Sequence, residues 1–148
     1  MARKEHGLQS ELNPAADRLF VLDIGGEGRH PKAWNLNRSR VKTFGCERGQ
    51  PIPRLIQARG DGIPLPSDSV DQVIVERTPL RPAALAEITR VARQSATIIL
   101  RHAISHGLDP HRLALQVLGG DAQRRMTSIG AIAVQETVVR LSPTPENS

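Results

Sequence analysis

Short apolar runs, separated by polar stretches rich in glycine and proline, recur along this chain of 148 residues. The runs at 19–23, 70–76 and 96–100 are rich in Leu, Ile and Val and too short for helices, so each predicts a strand buried on both faces. Shorter extended candidates lie at 33–37 and 54–58. Strands that read as continuous apolar runs are typical of a parallel sheet covered by helices.

Helical spacing enters only in the second half of the chain. Leu85, Ile88 and Val91 recur at helical intervals, and Pro82 stands where proline suits the first turn of a helix. A second helix is predicted over 110–118, ended by two glycines, and residues 129–141 predict one or two closing strands. This alternation of strands and helices predicts an α/β fold with a mainly parallel sheet.

The length and the distribution of polar residues predict one domain. Residues 1–17 are polar and are expected to form a flexible lead-in, residues 18–141 a single α/β domain, and residues 142–148 a disordered tail. No internal repeat is present.

The composition limits the classes of partner. The chain has three aromatic residues and no apolar run of membrane-spanning length, and its first 20 residues are charged throughout. We therefore expect a cytoplasmic protein without a membrane span, and binding of nucleic acid by stacking is not expected. The single cysteine, Cys46, cannot form an internal disulfide or, by itself, a zinc site, and is interpreted as incidental.

The positive charge is concentrated in one segment. The net charge is +5, whereas residues 29–60, here called the basic arm, hold eight basic residues and one acid, Glu47, which makes that segment +7. The arm is interpreted either as a solvated loop or as a surface that attracts an acidic ligand or an acidic protein partner.

The strand at 19–23 runs directly into a glycine-rich turn. Asp23 lies at its carboxyl end, where open parallel sheets bind ligands, and Gly25, Gly26 and Gly28 follow. Glycines permit positive φ angles and let a ligand approach the main chain. The alternative is a tight structural turn, so the feature alone predicts a cleft only weakly.

A second segment gives the turn its context. Residues 61–75 read DGIPLPSDSVDQVIV and lead into the helix AALAEITRV at 83–91. Together with Leu22-Asp23-Ile24-Gly25, this arrangement resembles the class I S-adenosylmethionine-dependent methyltransferases over roughly residues 19–103. The resemblance implies a Rossmann-like, mainly parallel sheet of the class I methyltransferase type, in shortened form.

The resemblance also implies site residues. Asp61 would meet the adenine amino group of S-adenosylmethionine, Asn37 takes the place of the acid that holds the ribose hydroxyls, and Glu76 lies near the methyl donor. His102, at the end of the next strand, is a candidate general base near neutral pH. The first-motif residues Asp23, Gly25, Gly26 and Gly28 would lie against the methionine and ribose parts of the cofactor. The implied cofactor-binding residues are thus Asp23, Gly25, Gly26, Gly28, Asn37, Asp61 and Gly62, and the catalytic candidates are Glu76 and His102.

Three departures from the family pattern are visible. The family spacing places glycines where this chain has Glu27 and Arg29, and Asn37 carries no charge. Only five residues separate Gly28 from Trp34, whereas a parallel crossover ordinarily needs a dozen or more. We therefore expect that the helix between the first two strands is missing, unless 34–37 is not the adjacent parallel strand.

Two further features have simple interpretations. His102, His106 and His111 are spaced by four and five residues across a turn, so their rings need not converge, and no metal site is expected. Trp34 is expected to anchor the core beside the second strand or, alternatively, to form a wall for a bound ligand.

These observations leave three hypotheses for function. The first is an S-adenosylmethionine-dependent methyltransferase acting on a small or carrier-bound acceptor. The second is a cofactor-free, methyltransferase-like accessory or binding protein with an acidic partner. The third is a cofactor-free enzyme on the same scaffold that uses Glu76 or His102. The sequence leaves the oligomeric state open, although a missing helix would expose apolar surface that a second subunit of a homo-oligomer could cover.

Overall fold

The computed structural model describes residues 19–143, which form one seven-stranded mixed sheet and two helices. The strands are β1 (Val21–Ile24), β2 (Trp34–Asn37), β3 (Leu55–Gln57), β4 (Val70–Glu76), β5 (Ala92–Ala103), β6 (Asp121–Ile129) and β7 (Ile132–Arg140), and the helices are α1 (Pro82–Val91) and α2 (Arg112–Leu118).

The strand order is β3-β2-β1-β4-β5-β7-β6. The first five strands of the chain run parallel to one another, while β7 is antiparallel to both β5 and β6. The sheet is therefore mainly parallel, as the apolar runs predict, with an antiparallel hairpin at one edge. The carboxyl ends of β1, β2, β3 and β4 meet at the same edge of the sheet.

Both helices pack on one face of the sheet and share its core. Pro82 begins α1 at its first turn, and Leu85, Ile88 and Val91 face the sheet, which accounts for the helical spacing in the sequence. Leu22, Val73, Val75, Ile98, Leu100 and Val139 project from the strands into this core, together with Ala114 and Leu118 of α2.

The connection from β1 to β2 contains no helix. It spans nine residues, 25–33, yet Leu22 pairs with Trp34 and Ile24 with Leu36 in parallel register. Gly25 takes a positive φ of 74°, and its N–H donates to the Leu36 carbonyl at 2.7 Å, so the chain turns directly from one strand end toward the other. The expected loss of this helix is confirmed, and the second strand is parallel and adjacent.

Some local expectations need correction. β5 runs from Ala92 to Ala103, well beyond the predicted 96–100, and β6 was not predicted. Trp34 is 37% exposed, with the Arg54 guanidinium 4.6 Å from its ring centroid, so it is not a core anchor. The predicted lead-in at 1–17 and the end of the predicted tail lie outside the described residues.

Within residues 19–143, neither helix is long and apolar enough to cross a membrane.

Candidate functional site

A cavity of about 250 Å³ opens at the carboxyl ends of β1, β2 and β3, beside the start of α1. Much of its wall is apolar, from Ile24, Leu36, Ala58, Pro79 and the first turn of α1. The polar side chains on its wall are those of Asn37, Arg38, Arg59, Asp61, Thr78 and Arg81.

The cavity brings together part of the predicted cofactor site. Gly25, Asn37 and Asp61 line it, although they come from three different segments of the chain. Asp23, Gly26, Gly28 and Gly62 are not on its wall. The part of the site that the resemblance assigns to the nucleoside is therefore open. The part formed by Asp23, Gly26 and Gly28 does not face this cavity.

The glycine turn is packed against the chain's own side chains. A Cβ at Gly25 would lie 2.1 Å from Thr78 Oγ1, and one at Gly26 would lie 2.3 Å from Asn35 Oδ1 and 2.5 Å from the Asp23 carboxylate. A Cβ at Gly28, whose φ is +110°, would lie 3.0 Å from Pro53. The glycines are thus required because other atoms of the protein approach them closely. This agrees with the interpretation of the segment as a tight structural turn.

Asn37 is hydrogen-bonded to the same turn. Its Nδ2 donates to the carbonyls of Gly26 at 3.1 Å and Gly25 at 3.4 Å, and its Oδ1 accepts from the Ser39 N–H at 2.9 Å. The side-chain amide therefore ties β2 to the end of β1. Oδ1 retains one lone pair that a hydroxyl on a bound molecule can use.

Arg29 occupies the space beside Asp23. Asp23 is fully buried, and the Arg29 guanidinium donates to both of its carboxylate oxygens, at 3.0 and 2.8 Å. Arg29 Nε also lies 3.5 Å from Glu76 Oε2. Burial raises the pKa of the Asp23 carboxyl, and the hydrogen bonds from Arg29 oppose that shift by stabilising the charged form. The guanidinium therefore joins the ends of β1 and β4.

The same charges continue across the sheet. Glu76, Arg101, Glu136 and Arg125 are direct cross-strand neighbours on β4, β5, β7 and β6. Arg101 donates to Glu76 at 3.2 Å and to Glu136 at 2.6 Å, and Arg125 donates to Glu136 at 2.5 Å. With Asp23 and Arg29 these four residues form an alternating series of opposite charges, here called the ion-pair ladder. Glu76, a catalytic candidate, is therefore held by Arg29 and Arg101.

The other catalytic candidate, His102, has both ring nitrogens engaged. Nε2 lies 2.6 Å from the Thr78 carbonyl and Nδ1 lies 2.9 Å from Nε2 of His111. Because a carbonyl can only accept, Nε2 of His102 carries the proton and Nδ1 accepts from His111. In this arrangement neither nitrogen is free to take a proton from a substrate.

His111 completes this chain of hydrogen bonds in a buried position. Its Nδ1 accepts from the Thr137 hydroxyl at 2.6 Å, and Thr137 accepts in turn from Gln135 at 3.1 Å. Burial lowers the pKa of His111 to about 4 and also lowers the pKa of His102. Both imidazoles are thus neutral at pH 7. His106 is exposed, and residues 19–143 contain no group of three or more His, Cys, Asp or Glu side chains placed to hold a metal ion.

Sequence reasoning missed the arginines on the cavity wall. Arg38 directly follows β2, Arg59 lies two residues beyond β3, and Arg81 directly precedes α1. Their positions next to predicted element ends were the available signal, because such ends face the cleft of a parallel sheet. In the sequence nothing distinguished these three residues from the many other arginines.

Comparison with solved structures identifies the architecture. An S-adenosylmethionine-dependent methyltransferase from Archaeoglobus fulgidus superposes with a TM-score of 0.62 at 14% identity. The match covers 93% of this chain and 94% of the methyltransferase. The fold is that of the class I S-adenosylmethionine-dependent methyltransferases. An Aquifex aeolicus S-adenosylmethionine-dependent methyltransferase gives 0.53 at 16% identity, covering 83% of this chain and 82% of its own.

An arsenic(III) S-adenosylmethionine methyltransferase from Chlamydomonas reinhardtii gives a TM-score of 0.56 at 16% identity, covering 86% of this chain and 64% of its own. No protein-family model matches the chain, and no curated protein matches it in sequence. At these identities the likeness concerns the methyltransferase fold alone.

S-adenosylmethionine fits this methyltransferase fold only in part. The residues that the family pattern assigns to the nucleoside, Asn37 and Asp61, line the open cavity. The residues assigned to the methionine part are taken up by protein contacts, because Arg29 holds Asp23 and Thr78 closes on Gly25. The residues present therefore fit a nucleoside and do not fit the complete cofactor.

Proposed function

We propose that this protein is a methyltransferase-like binding protein that holds a nucleoside-containing ligand in its cleft and does not transfer methyl groups. The observation that carries the proposal is the pair between Arg29 and the buried Asp23, with hydrogen bonds of 2.8 and 3.0 Å. It stands where a methyltransferase would need space for the methionine part of its cofactor.

Charge makes this arrangement hard to reverse. S-adenosylmethionine carries a sulfonium and an ammonium cation, and Arg29 already occupies the Asp23 carboxylate with which such a cation would pair. Moving Arg29 away would leave Asp23 as an uncompensated buried carboxylate, which costs about 3–5 kcal/mol for a broken buried pair. A ligand that bound there would have to offset that cost.

The open half of the cleft supports the positive part of the proposal. Its apolar walls suit a flat base, and Asp61 can accept a hydrogen bond from an exocyclic amino group. The volume, about 250 Å³, lies slightly below the usual range of small-molecule pockets, about 300–1,000 Å³, which favours a ligand of nucleoside size.

The enzyme hypothesis without a cofactor receives less support. Glu76 is bonded to Arg101 and lies beside Arg29, and His102 is bonded on both ring nitrogens. A general base needs a free acceptor atom within hydrogen-bond reach of the proton that it removes. We therefore interpret both residues as structural.

The second candidate function is an S-adenosylmethionine-dependent methyltransferase acting on a small or carrier-bound acceptor. It is favoured by the location of the cavity and by the three solved methyltransferases that share the fold. It requires Arg29 to leave Asp23 when the cofactor enters.

Calorimetric titration with adenosine, S-adenosylhomocysteine and S-adenosylmethionine separates these candidates. The binding proposal expects similar affinities for adenosine and S-adenosylhomocysteine, because the amino-acid part finds no room. Asp61→Asn should weaken adenosine binding, whereas Asp121→Asn, at an exposed position on β6, should leave it unchanged. S-adenosylhomocysteine binding tighter than adenosine by tenfold or more would favour the methyltransferase, and binding of none of the three would overturn both.

The basic arm is proposed as a second contact surface, for an acidic protein. Its segment 38–53 forms a hairpin-like loop through a bridge between Val41 and Pro51, and Phe44 near its tip is 72% exposed. Glu27 accepts from the backbone and hydroxyl of Thr43, which fixes the loop against the glycine turn. Binding of poly-glutamate that weakens as salt rises, and is lost when Arg38, Arg40 and Arg48 are replaced by Gln, would support this role. Binding unaffected by either change would contradict it.

A further inference from the structure

The cavity wall has an excess of positive charge. Arg38, Arg59 and Arg81 lie on it with a single carboxylate, Asp61. We propose that the ligand of this cleft is a purine nucleoside phosphate, with the base among the apolar walls and the phosphate held by these arginines. This inference rests on the proposed function and specifies its ligand class.

The three arginines come from separate loops at one edge of the sheet. Each is placed by a rigid element, since Arg38 follows β2, Arg59 follows β3 and Arg81 precedes α1. Arg59 Nε lies 3.3 Å from Asp61 Oδ1, so one of the three is partly neutralised by the acid. Within residues 19–143, the guanidinium groups of Arg38 and Arg81 have no carboxylate within ion-pair distance, and both residues are exposed.

The chemistry of guanidinium favours phosphate. Its planar array of donors matches the spacing of phosphate oxygens and can bind them in bidentate fashion. The start of α1 adds to this preference, because the first turn, with Ala83 and Ala84 on the cavity wall, contains no acidic residue and its N-cap has no side-chain hydrogen bond. Together these groups make the rim of the cavity attractive to anions.

The apolar part of the cavity wall is suited to contact the purine base of the proposed ligand. Ile24, Leu36 and Ala58 contribute to the wall from the strand ends, and Pro79 and Ala84 contribute from the loop and helix that follow β4. A flat ring between them would be removed from water, while Asp61, at the edge, accepts from its amino group. Adenine and guanine both offer such an amino group.

Charge also separates this ligand from the cofactor of the methyltransferases. With three arginines and one acid, the wall carries a formal charge of +2. A nucleoside monophosphate carries about two negative charges at neutral pH, as other phosphate monoesters do, whereas S-adenosylmethionine is a net cation. The same wall that attracts the first repels the second.

The test is calorimetric titration of the full chain with adenosine, adenosine monophosphate and S-adenosylhomocysteine at low and high salt. We expect the monophosphate to bind roughly tenfold tighter than adenosine or more, in keeping with charge-assisted hydrogen bonds. This advantage should shrink as salt rises, because the arginines are exposed.

Variants assign the effect to the arginines. Arg38→Gln and Arg81→Gln should each weaken binding of the monophosphate by about threefold, as expected for exposed charge pairs, and should weaken adenosine binding less than that. Arg112→Gln, at an exposed position on α2 away from the cavity, is the matched control. Circular dichroism of each variant checks that it is folded.

The outcomes distinguish this inference from the function on which it rests. Equal affinity for adenosine and its monophosphate, unaffected by the arginine variants, would overturn the phosphate inference and leave nucleoside binding intact. Binding of neither to the folded protein would overturn both. S-adenosylhomocysteine binding tighter than the monophosphate would also overturn both, in favour of the methyltransferase.

Discussion

Arg29 donates hydrogen bonds to both carboxylate oxygens of Asp23, a fully buried residue at the end of the first parallel strand. In the family pattern a glycine stands at the position of Arg29. One side chain therefore fills the space that the glycine would leave open and neutralises the acid beside it.

Replacing Arg29 by glycine should restore that space. Arg29→Gly is expected to lower the free energy of unfolding by about 3 kcal/mol, because Asp23 loses its partner in a buried position. Affinity for S-adenosylhomocysteine should rise relative to adenosine, because the amino-acid part now finds both room and an acid for its ammonium group. Urea denaturation and calorimetry measure the two effects.

The double variant Asp23→Asn/Arg29→Gly separates them. It should recover part of the stability, since no buried charge is left unpaired, but it should lose the gained affinity. If Arg29→Gly were as stable as the native protein, the ion pair between Arg29 and Asp23 would not hold the two strand ends together.

His111, which is buried, and His102, which is half-buried, predict a dependence of stability on pH. The pKa values of both histidines are lowered in the folded protein, that of His111 to about 4. In the unfolded chain both have the ordinary value of about 6.5. Above pH 6.5 both states are neutral and the histidines have no effect. As the pH falls from 6.5 toward 4, the unfolded state binds protons first and stability decreases, by up to about 3 kcal/mol for His111.

His111→Gln should flatten this dependence between pH 6.5 and 4.5, and His106→Gln, at an exposed position, should not. Carboxylates with a lowered pKa, such as Glu136, lose their contribution only below about 4.5, and Asp23, whose pKa burial raises, changes stability in the opposite direction. A loss of stability in this window is therefore assigned to the histidines. Unfolding curves at several pH values measure the slope. A parallel slope in His111→Gln and the native protein would contradict the assignment.

Two glycines of the predicted site should respond very differently to alanine. Gly25 has a φ of +74° and a Cβ there would lie 2.1 Å from Thr78 Oγ1, so Gly25→Ala should cost about 2 kcal/mol or more of stability. At Gly62 no heavy atom beyond the adjacent residues of the chain lies within 4 Å of the added Cβ. Gly62→Ala should change stability by less than about 0.5 kcal/mol.

Thermal denaturation compares the two variants, and the double variant Gly25→Ala/Thr78→Ala identifies the cause. It should relieve the clash and retain the strain of the positive φ. Equal tolerance of alanine at both positions would mean that Thr78 does not close on the turn.

The ion-pair ladder predicts a large effect at Glu136. This side chain is buried and accepts from Arg101 at 2.6 Å and Arg125 at 2.5 Å, and the Arg125 guanidinium holds its pKa below the ordinary value. Glu136→Gln should therefore lower stability by about 2 kcal/mol at pH 7. The difference from the native protein should disappear as the pH falls below 4.5. Asp121→Asn, on the exposed edge strand, is the control variant. Equal stability of Glu136→Gln and Asp121→Asn would contradict the prediction.

The sequence predicted those features that depend on local pattern. The glycine turn after Asp23, the strand at 70–76 and the helix start at Pro82 all follow from runs of apolar residues and from proline or glycine at their ends. β6 was missed because nearly every residue in it is exposed, so no alternation marks it as a strand.

Contacts between distant segments could not be predicted. The bond between His102 and His111 joins the end of a strand to the start of a helix, and the direction of Arg29 depends on how the nine-residue connection folds. The structure brings Asn37 and Asp61 to one cavity, as the resemblance implies, while their role toward a ligand, the acidic partner and the homo-oligomer stay predictions.

The ion-pair ladder contains three acidic and three basic side chains, which cancel one another along five adjacent strands. The surplus of positive charge is left on the opposite flank, where the basic arm leaves β2. Within residues 19–143, the excess of formal positive charge therefore lies at the edge of the sheet formed by β2 and β3. An approaching anion would be attracted first to this edge, which also holds the open cavity.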